Sequence, residues 1–406
     1  MINVLVFPAG TEISLEIHRS LKDSKHFRLF GASSVDDHAR FVFDNYIGGA
    51  PYCDKAGFGI WLKGVVKSQK IDIVIPAHDD AVVAISNMRK DLAVLGARFA
   101  SSSNEACNIL RSKAETYRIF NEISPKYRDE FPKFAKPDKG NGGKRCYILN
   151  HEQDEKEIKG RFSDMVITEF LHGEEYTVDC FTDRHGVLRF CEGRVRGRVS
   201  NGISVFTERA EKEYFRDFAE YIMEKFEMRG AWFFQVKEDQ YGDPALLEIA
   251  PRIAGSSGLW RAHGVNLAEL TLWDAMDKDV EILFQDFPVQ MSRALSSVYR
   301  LGIEFDTVYI DFDDTVYLSD GWNPQASALF DLLENKDKRI IVITKNTMLS
   351  AINKYDLILV PKNDPKSKYI NPEGAIFIDD SFAERKEVHD ALGIPVFGLD
   401  AIEALM

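Results

Sequence analysis

Cysteine is sparse in this 406-residue sequence: Cys53, Cys107, Cys146, Cys180 and Cys191 are odd in number and widely spaced. No Cys-x-x-Cys pair or zinc spacing occurs, which argues against a disulfide framework or a thiolate metal centre. Reduced thiols in a cytoplasmic protein are the expectation. Long apolar runs are missing too. No segment approaches the roughly 18–20 apolar residues that span a bilayer. The opening MINVLVFPAG shows no basic leader before an apolar stretch, so a soluble protein without a membrane partner is expected. Basic charge is in deficit, with 51 Lys and Arg against 64 Asp and Glu and a net charge of -13. Phosphate neutralisation needs clustered Lys and Arg, so general nucleic-acid binding is not expected, although a local basic pocket for a nucleotide stays compatible. Low-complexity linkers and internal repeats are absent as well.

What is present is enough apolar and aromatic matter, 45% and 12%, for ordinary cores, in a chain longer than one core usually organises. Three blocks emerge, giving an α/β and α+β multidomain chain. The first, residues 1–98, opens with the apolar run Val4–Phe7, the turn Pro8-Ala9-Gly10 and a helical stretch to Leu21. A second run, Ile71–Ile75, ends in Pro76 and His78-Asp79-Asp80. Strand, small-residue turn, helix is the rhythm of a parallel α/β unit, whose ligands gather at the strand ends, here Gly10 and His78–Asp80. The second block, 99–297, reads as strands at Val166–Phe170, Glu175–Phe181, Trp232–Val236 and Ala245–Ile249, with a helix over Lys212–Phe226. The third, 303–406, repeats buried strands before Asp311 and at Ile340–Ile343, Leu357–Val360 and Ala375–Ile378, a small doubly wound parallel sheet.

In the middle block, Lys136 precedes the glycine-rich run Gly140-Asn141-Gly142-Gly143. Such a loop lets backbone N–H groups approach phosphate oxygens, and the lysine adds positive charge; a plain β-turn is the alternative. Downstream, Glu169-Phe170-Leu171 connects two strands, where backbone groups reach an adenine edge and Glu175 a ribose. Gln235 and Glu248 lie on consecutive strands around Tyr241-Gly242-Asp243. A hairpin would set their oxygens on one pocket, a donor set suited to magnesium with nucleotide phosphates. Arg252 continues the Glu248 strand, and Arg194 and Arg196 share a face if extended; guanidinium groups there would neutralise a phosphate or acyl-phosphate.

Together, Lys113 in SKAETYRIF, Lys136, EFLHGEEYTVD, Arg194–Arg196, Gln235 and LEIAPRIAGSS resemble the ATP-grasp superfamily, in its carbamoyl-phosphate-synthetase-like branch. The resemblance covers about three-quarters of the chain, including a pre-ATP-grasp α/β domain. It implies that Lys113, Lys136, Gly142 and Gly143 hold ATP phosphates, that Glu169, Phe170, Leu171 and Glu175 hold the nucleoside, and that Gln235 and Glu248 bind Mg2+. One departure is Ala250, where many relatives carry a coordinating asparagine. The implied reaction is activation of a carboxylate by ATP, then attack by an amine.

At the C-terminus, IDFDDTVY (Ile310–Tyr317) follows an apolar strand. Thr344-Lys345-Asn346, Lys366 and Asp379-Asp380 follow later, each polar cluster read at the carboxyl end of an apolar strand. Paired carboxylates suit nucleophilic attack with general acid/base work; a solvated acidic turn is the alternative for DFDD alone. The four clusters resemble the haloacid-dehalogenase (HAD) phosphatase superfamily. The resemblance implies Asp311 as nucleophile, Asp313 as general acid/base, Thr344 on the phosphoryl group, Lys366 (rather than Lys368 or Lys362) as charge balance, and Asp311, Asp313 and Asp379 at Mg2+. Intervals of 33 and 35 positions separate Asp311, Thr344 and Asp379, too short for a large cap. An uncapped site accepts a bulky substrate or one presented by the tethered ligase.

The expectation is thus a bifunctional enzyme: an ATP- and Mg2+-dependent ligase taking a small-molecule carboxylate and amine, fused to a capless HAD-like phosphohydrolase for a phosphorylated small molecule. A homodimer is compatible with this. A small-molecule kinase, or an ATP-sensing module controlling the phosphatase, are the rival readings. Trp232–Phe234 read as core, His78 and His263 as hydrogen-bonded structural residues or substrate contacts, Asp79-Asp80 as a helix cap or substrate contact, and Ser256-Ser257 as a pocket lining or a tight turn.

Overall fold

The computed structural model describes residues 1–140, 142–200, 203–299, 301–319, 321–345 and 354–406. It divides into two compact units, Met1–Leu295 and Ser296–Met406. No helix among the described residues is long and apolar enough to cross a membrane.

The first unit opens with β1 (Ile2–Phe7), β2 (Phe27–Ala32), β3 (Asn45–Ile47), β4 (Ile73–Pro76) and β5 (Arg98–Phe99), a parallel sheet in the order β3-β2-β1-β4-β5. Parallel sheets bury both faces, and β1 shows how. Val4 and Val6 pack with Ile17 and Leu21 of the helix Glu12–Leu21, while Leu5 and Phe7 pack with Phe58, Leu62 and Val66 of the helix Phe58–Gln69. Thr11 caps the first of these helices by accepting from the Ser14 N–H at 3.1 Å. The helix therefore starts directly at the carboxyl end of β1.

A three-stranded antiparallel sheet follows, β6 (Lys133–Pro137) between β7 (Tyr147–Leu149) and β8 (Met165–Glu169). Next come β9 (Glu175–Thr182), β10 (Leu188–Val195), β11 (Arg198–Ser200), β12 (Ile203–Ala210), β13 (Gly230–Glu238), β14 (Pro244–Ala250) and β15 (Gln290–Ser292). They form an antiparallel sheet in the order β11-β12-β10-β9-β13-β14, with β15 on β12. Period-two alternation sorts its faces. Tyr176, Val178, Cys180, Trp232, Phe234 and Leu246 point at the helix Tyr214–Lys225, where Phe215, Phe218, Ala219 and Ile222 meet them. Gly193 makes this approach feasible, because a Cβ there would lie 1.9 Å from Phe215 Cε2. On the opposite face Phe181, Phe190 and Ala231 pack into the core shared with the parallel sheet, and Thr177, Arg194 and Gln235 form a polar stretch beside them.

In the second unit, β16 (Thr307–Ile310) is followed by a two-stranded hairpin of β17 (Tyr317–Leu318) and β18 (Gly321–Trp322). Then come β19 (Arg339–Thr344), β20 (Asp356–Leu359), β21 (Ala375–Ile378) and β22 (Val396–Phe397). The main sheet is parallel, in the order β20-β19-β16-β21-β22. Val308 and Ile310 face Leu329, Phe330 and Leu333 of the helix Pro324–Asn335, and Tyr309 faces Val388 of the helix Phe382–Leu392. From central β16 the chain goes first to one side and later to the other. The carboxyl end of β16 is therefore a topological switch point, where open α/β sheets bind ligands.

Candidate functional site

The first unit lays a row of side chains across four strands. Arg194 on β10 is opposite Thr177 on β9, Thr177 opposite Gln235 on β13, and Gln235 opposite Glu248 on β14. Opposed residues share a face, and these four line a cleft of about 750 Å³, within the usual size of small-molecule sites. The ends of β1 and β4 add Thr11, Glu12, His78 and Asp79. The β6 strand and its following loop add Lys136, Gly140, Gly142 and Gly143. Gly142 and Gly143 adopt φ of 60° and 66°, a left-handed pair that favours glycine; Asn141 lies outside the described residues.

Both expected lysines reach this row. Lys113 Nζ sits 3.5 Å from Glu248 and donates to the Gly140 carbonyl at 3.3 Å. Lys136 Nζ lies 3.5 Å from the Leu247 carbonyl and 5.3 Å from the centre of the Tyr117 ring. Burial pushes the Lys136 ammonium below its ordinary pKa, against the pull of Glu248 and Glu175. Gln235 and Glu248 present one amide and one carboxylate to the cleft. In the next row Phe233 opposes Ala250, and both pack with Ala254, an apolar patch where a further oxygen ligand would stand. The donors thus fit one magnesium ion completed by phosphate oxygens and water.

The three expected arginines carry carboxylates of their own. Arg196 pairs with Glu175 at 2.7 Å. Arg252 binds Asp79 through Nε at 2.6 Å and Nη2 at 3.0 Å. Burial opposes the charge on Asp79, yet Arg252 holds its carboxyl well below the usual range. Asp79 is therefore neither a helix cap nor an unpaired substrate contact: His78 caps that helix by accepting from the Asp80 N–H. Arg194 donates to Asp179 at 2.7 Å and to Ser256 Oγ at 3.1 Å, while Trp260 Nε1 donates to the same Asp179 oxygen. Arg194 was expected to meet a phosphate; with 1% of its side chain exposed, it is first of all the buried partner of Asp179.

Glu169, Phe170 and Leu171 fall outside the residues lining this cleft. Glu169 instead fastens the preceding loop, accepting from the Lys126 N–H at 2.9 Å and from Arg128 at 2.5 Å, and Leu171 is buried. Sequence reasoning passed over Thr177 and Arg293. Thr177 was within reach, two positions from Glu175 on an alternating strand. Arg293 follows a three-residue edge strand with no local pattern to mark it.

In the second unit Asp311 leaves β16 at the switch point, its N–H donating to the Ile378 carbonyl at 2.9 Å. Lys366, at the start of a short 3-10 turn, bridges Asp311 at 2.5 Å and Asp379 at 2.6 Å, all three buried. Lys368 is mostly exposed and paired with Asp364. Thr344 Oγ1 donates to Asp313 Oδ2 at 3.1 Å, orienting that carboxylate. Burial pushes the Asp311 carboxyl up to about 7, with Lys366 opposing and Asp379 adding to the rise. Asp379 is raised by burial as well, against Lys366. Oxygens of Asp311, Asp379 and Asp380 lie within 4.8 Å of one another, a hard-oxygen set that fits magnesium. Asp313, expected among the metal residues, is not in that group; its carboxylate is turned to Thr344. Asp380 stands in the group and accepts from Thr315 at 3.2 Å. Asn346 lies outside the described residues.

Residues 161–295 match a family model described as "ATP-grasp in the biosynthetic pathway with Ter operon". No curated protein matches the chain. Among solved structures, the biotin carboxylase domain dimer of Hydrogenobacter thermophilus 2-oxoglutarate carboxylase, in complex with MgADP, ADP and bicarbonate, is similar. It has a TM-score of 0.57 and 12% identity, over 70% of this chain and 71% of that one. Biotin carboxylase from Campylobacter jejuni gives 0.55 and 14%, over 69% and 72%. N5-carboxyaminoimidazole synthetase from Staphylococcus aureus, complexed with ADP, gives 0.57 and 14%, over 72% and 82%. Likeness at such identities is one of fold: the chain carries an ATP-grasp fold.

Proposed function

We propose that the first unit is an ATP-dependent carboxylate–amine ligase and the second a magnesium-dependent phosphohydrolase of HAD type. The observation that carries the ligase reading is the row Arg194–Thr177–Gln235–Glu248 with Lys113 and Lys136 at its Glu248 end. The solved structures of similar fold in complex with ADP support it. In this reading Lys113, Lys136 and the backbone of Gly140, Gly142 and Gly143 hold the phosphates, and Glu175 accepts from the ribose. An oxygen of the substrate carboxylate attacks the γ-phosphorus, ADP leaves, and an acyl-phosphate forms. The amine then attacks the acyl carbon, a proton is lost from nitrogen and inorganic phosphate departs. Arg252 and its partner Asp79 position the acid, with the guanidinium screening negative charge on the transferring group. Glu248 and Gln235 would hold a magnesium ion, which would supply further neutralisation of phosphate charge.

For the second unit, the convergence of Asp311, Asp313, Thr344, Lys366 and Asp379 on one switch point supports hydrolysis of a phosphomonoester. The Asp311 carboxylate attacks phosphorus while Asp313 gives its proton to the leaving alkoxide. Asp313 then takes a proton from the water that cleaves the aspartyl-phosphate. Lys366 balances charge, and Asp311, Asp379 and Asp380 would hold a magnesium ion that would shield the incoming phosphoryl oxygens.

Purified full-length protein given MgATP and a panel of acid–amine pairs is expected to release ADP and phosphate with one pair, and Lys136→Ala to lose that turnover. Asp311→Asn is expected to abolish p-nitrophenyl phosphate hydrolysis while leaving ADP release intact. Full turnover in Lys136→Ala, or hydrolysis surviving in Asp311→Asn, sinks the corresponding half. The Phe233–Ala250 patch favours one rival, an ATP-sensing unit that controls the hydrolase: there ATP binds without turnover and alters the phosphatase rate.

A further inference from the structure

Three cleft arginines, Arg194, Arg196 and Arg252, are each paired with a carboxylate of the protein. A fourth, Arg293, is also paired with a carboxylate but keeps one nitrogen unmatched. It lies just past β15, its N–H donating to the Val205 carbonyl of β12 at 2.7 Å, and its side chain lines the same cleft at 13% exposure. Its Nη2 pairs with Glu12, at the start of the helix that follows β1. Its Nη1 is buried and has no hydrogen-bond partner among the described residues. The same holds for Thr177 Oγ1, in the middle of the row. A buried donor left unmade is costly and rare in native proteins, and two such atoms along one cleft point to a ligand that accepts from them. The elements holding Arg293, namely β12, β15 and the β1 end, are not those holding Lys113 and Lys136.

We infer that Arg293 anchors a carboxylate of the acid substrate through its Nη1 edge and so helps set which acids the cleft accepts. The inference rests on the ligase reading above and names a specificity-determining residue for it. Glu12 occupies one edge of the guanidinium and orients it, and the second edge is free to receive a carboxylate in the forked geometry that suits arginine. Thr177 Oγ1 offers a hydroxyl from the sheet side to the same acid. An uncharged isostere of the substrate is therefore discriminated against.

The test titrates full-length protein calorimetrically with MgADP, and then titrates the MgADP-saturated protein with acetate, malonate, succinate, glutamate and inorganic phosphate. At least one carboxylate is expected to bind. Its Kd rises at least about tenfold in Arg293→Gln, the scale of a lost charged hydrogen bond, and recovers in part in Arg293→Lys. The MgADP Kd stays within about twofold. Glu12→Gln separates anchoring from support: it removes the ion pair yet keeps Nη1, and carboxylate binding is expected to persist. The inference is overturned if no carboxylate binds, if carboxylates bind wild type and Arg293→Gln alike, or if Glu12→Gln loses binding as Arg293→Gln does. It is also overturned if MgADP affinity falls with Arg293→Gln, or if inorganic phosphate alone shows the dependence. Failure of wild-type protein to bind MgADP refutes the ligase reading instead; the same carboxylate titrations on nucleotide-free protein then decide whether Arg293 binds a carboxylate.

Discussion

Replacing Lys366 with methionine removes one ammonium from between two buried carboxylates and from beside the Phe377 ring, while keeping most of the apolar stem. Breaking a buried ion cluster by deleting one partner costs about 3–5 kcal/mol when the remaining charges stay charged. The two carboxylates have an escape, because they can protonate. Burial already raises Asp311 to about 7 from 3.8 with the lysine in place; without it both Asp311 and Asp379 rise further. A carboxyl with a higher pKa folded than unfolded binds more protons when folded, so stability falls as pH climbs from the unfolded value to the folded one. The penalty of Lys366→Met is therefore smallest at acid pH and grows as pH climbs through about 7. Hydrogen exchange of the β16 and β21 amides in EDTA, corrected for intrinsic rates, reads this unit locally. At pH 8 protection is expected to drop by roughly a hundred- to several-thousand-fold, and at pH 5.5 by far less. Magnesium restores a positive charge between the aspartates, so it stabilises the variant more than wild type. Equal deficits at both pH values, or equal stabilisation of both proteins by magnesium, would refute the charge argument.

Asp179→Ala strands the Arg194 guanidinium and the Trp260 N–H in a buried site; a loss of about 3–5 kcal/mol is expected in urea unfolding, against a surface-like change of under about 0.5 kcal/mol if the pair is incidental. Gly193→Ala drives a methyl into Phe215, with Cβ 1.9 Å from the ring. A thermal melt should lose stability worth about 1–3 kcal/mol, and an unchanged midpoint would show that the sheet and helix yield freely. Gln235→Glu adds a second carboxylate beside Glu248, and manganese affinity measured by electron paramagnetic resonance with bound ATP should rise. No rise would mean that the two side chains do not share a cation.

Much of the strand pattern was readable from residues alone because buried parallel strands are dense in β-branched and aromatic side chains. Ala375–Ile378 is β21 residue for residue, and Glu175–Phe181 lies within β9. What escaped are strands that break the apolar pattern. The β10 sequence LRFCEGRV carries two arginines, a glutamate and a glycine, since one face is the cleft and the glycine accommodates Phe215. The polar clusters were visible singly, but their pairings were not. Arg252 and Asp79 stand 173 positions apart, and Arg293 and Glu12 stand 281 apart. No local periodicity encodes a contact between the end of one sheet and the start of another. The same limit explains Arg194: a side chain on the cleft face of an alternating strand reads as a ligand contact, and only the fold reveals Asp179 and Trp260 behind it.

The pairing of Arg194, Arg196 and Arg252 with built-in acids has a thermodynamic consequence for any anion that enters the cleft. Binding there is an ion exchange in which the outgoing counter-ion is covalently attached to the protein and cannot diffuse away. Few small ions are released to bulk solvent, so the affinity depends only shallowly on salt concentration, in contrast to the steep slopes of surfaces that shed a mobile counter-ion atmosphere. A cleft of this kind keeps its hold on an anionic ligand across changes of ionic strength that would loosen an open basic patch.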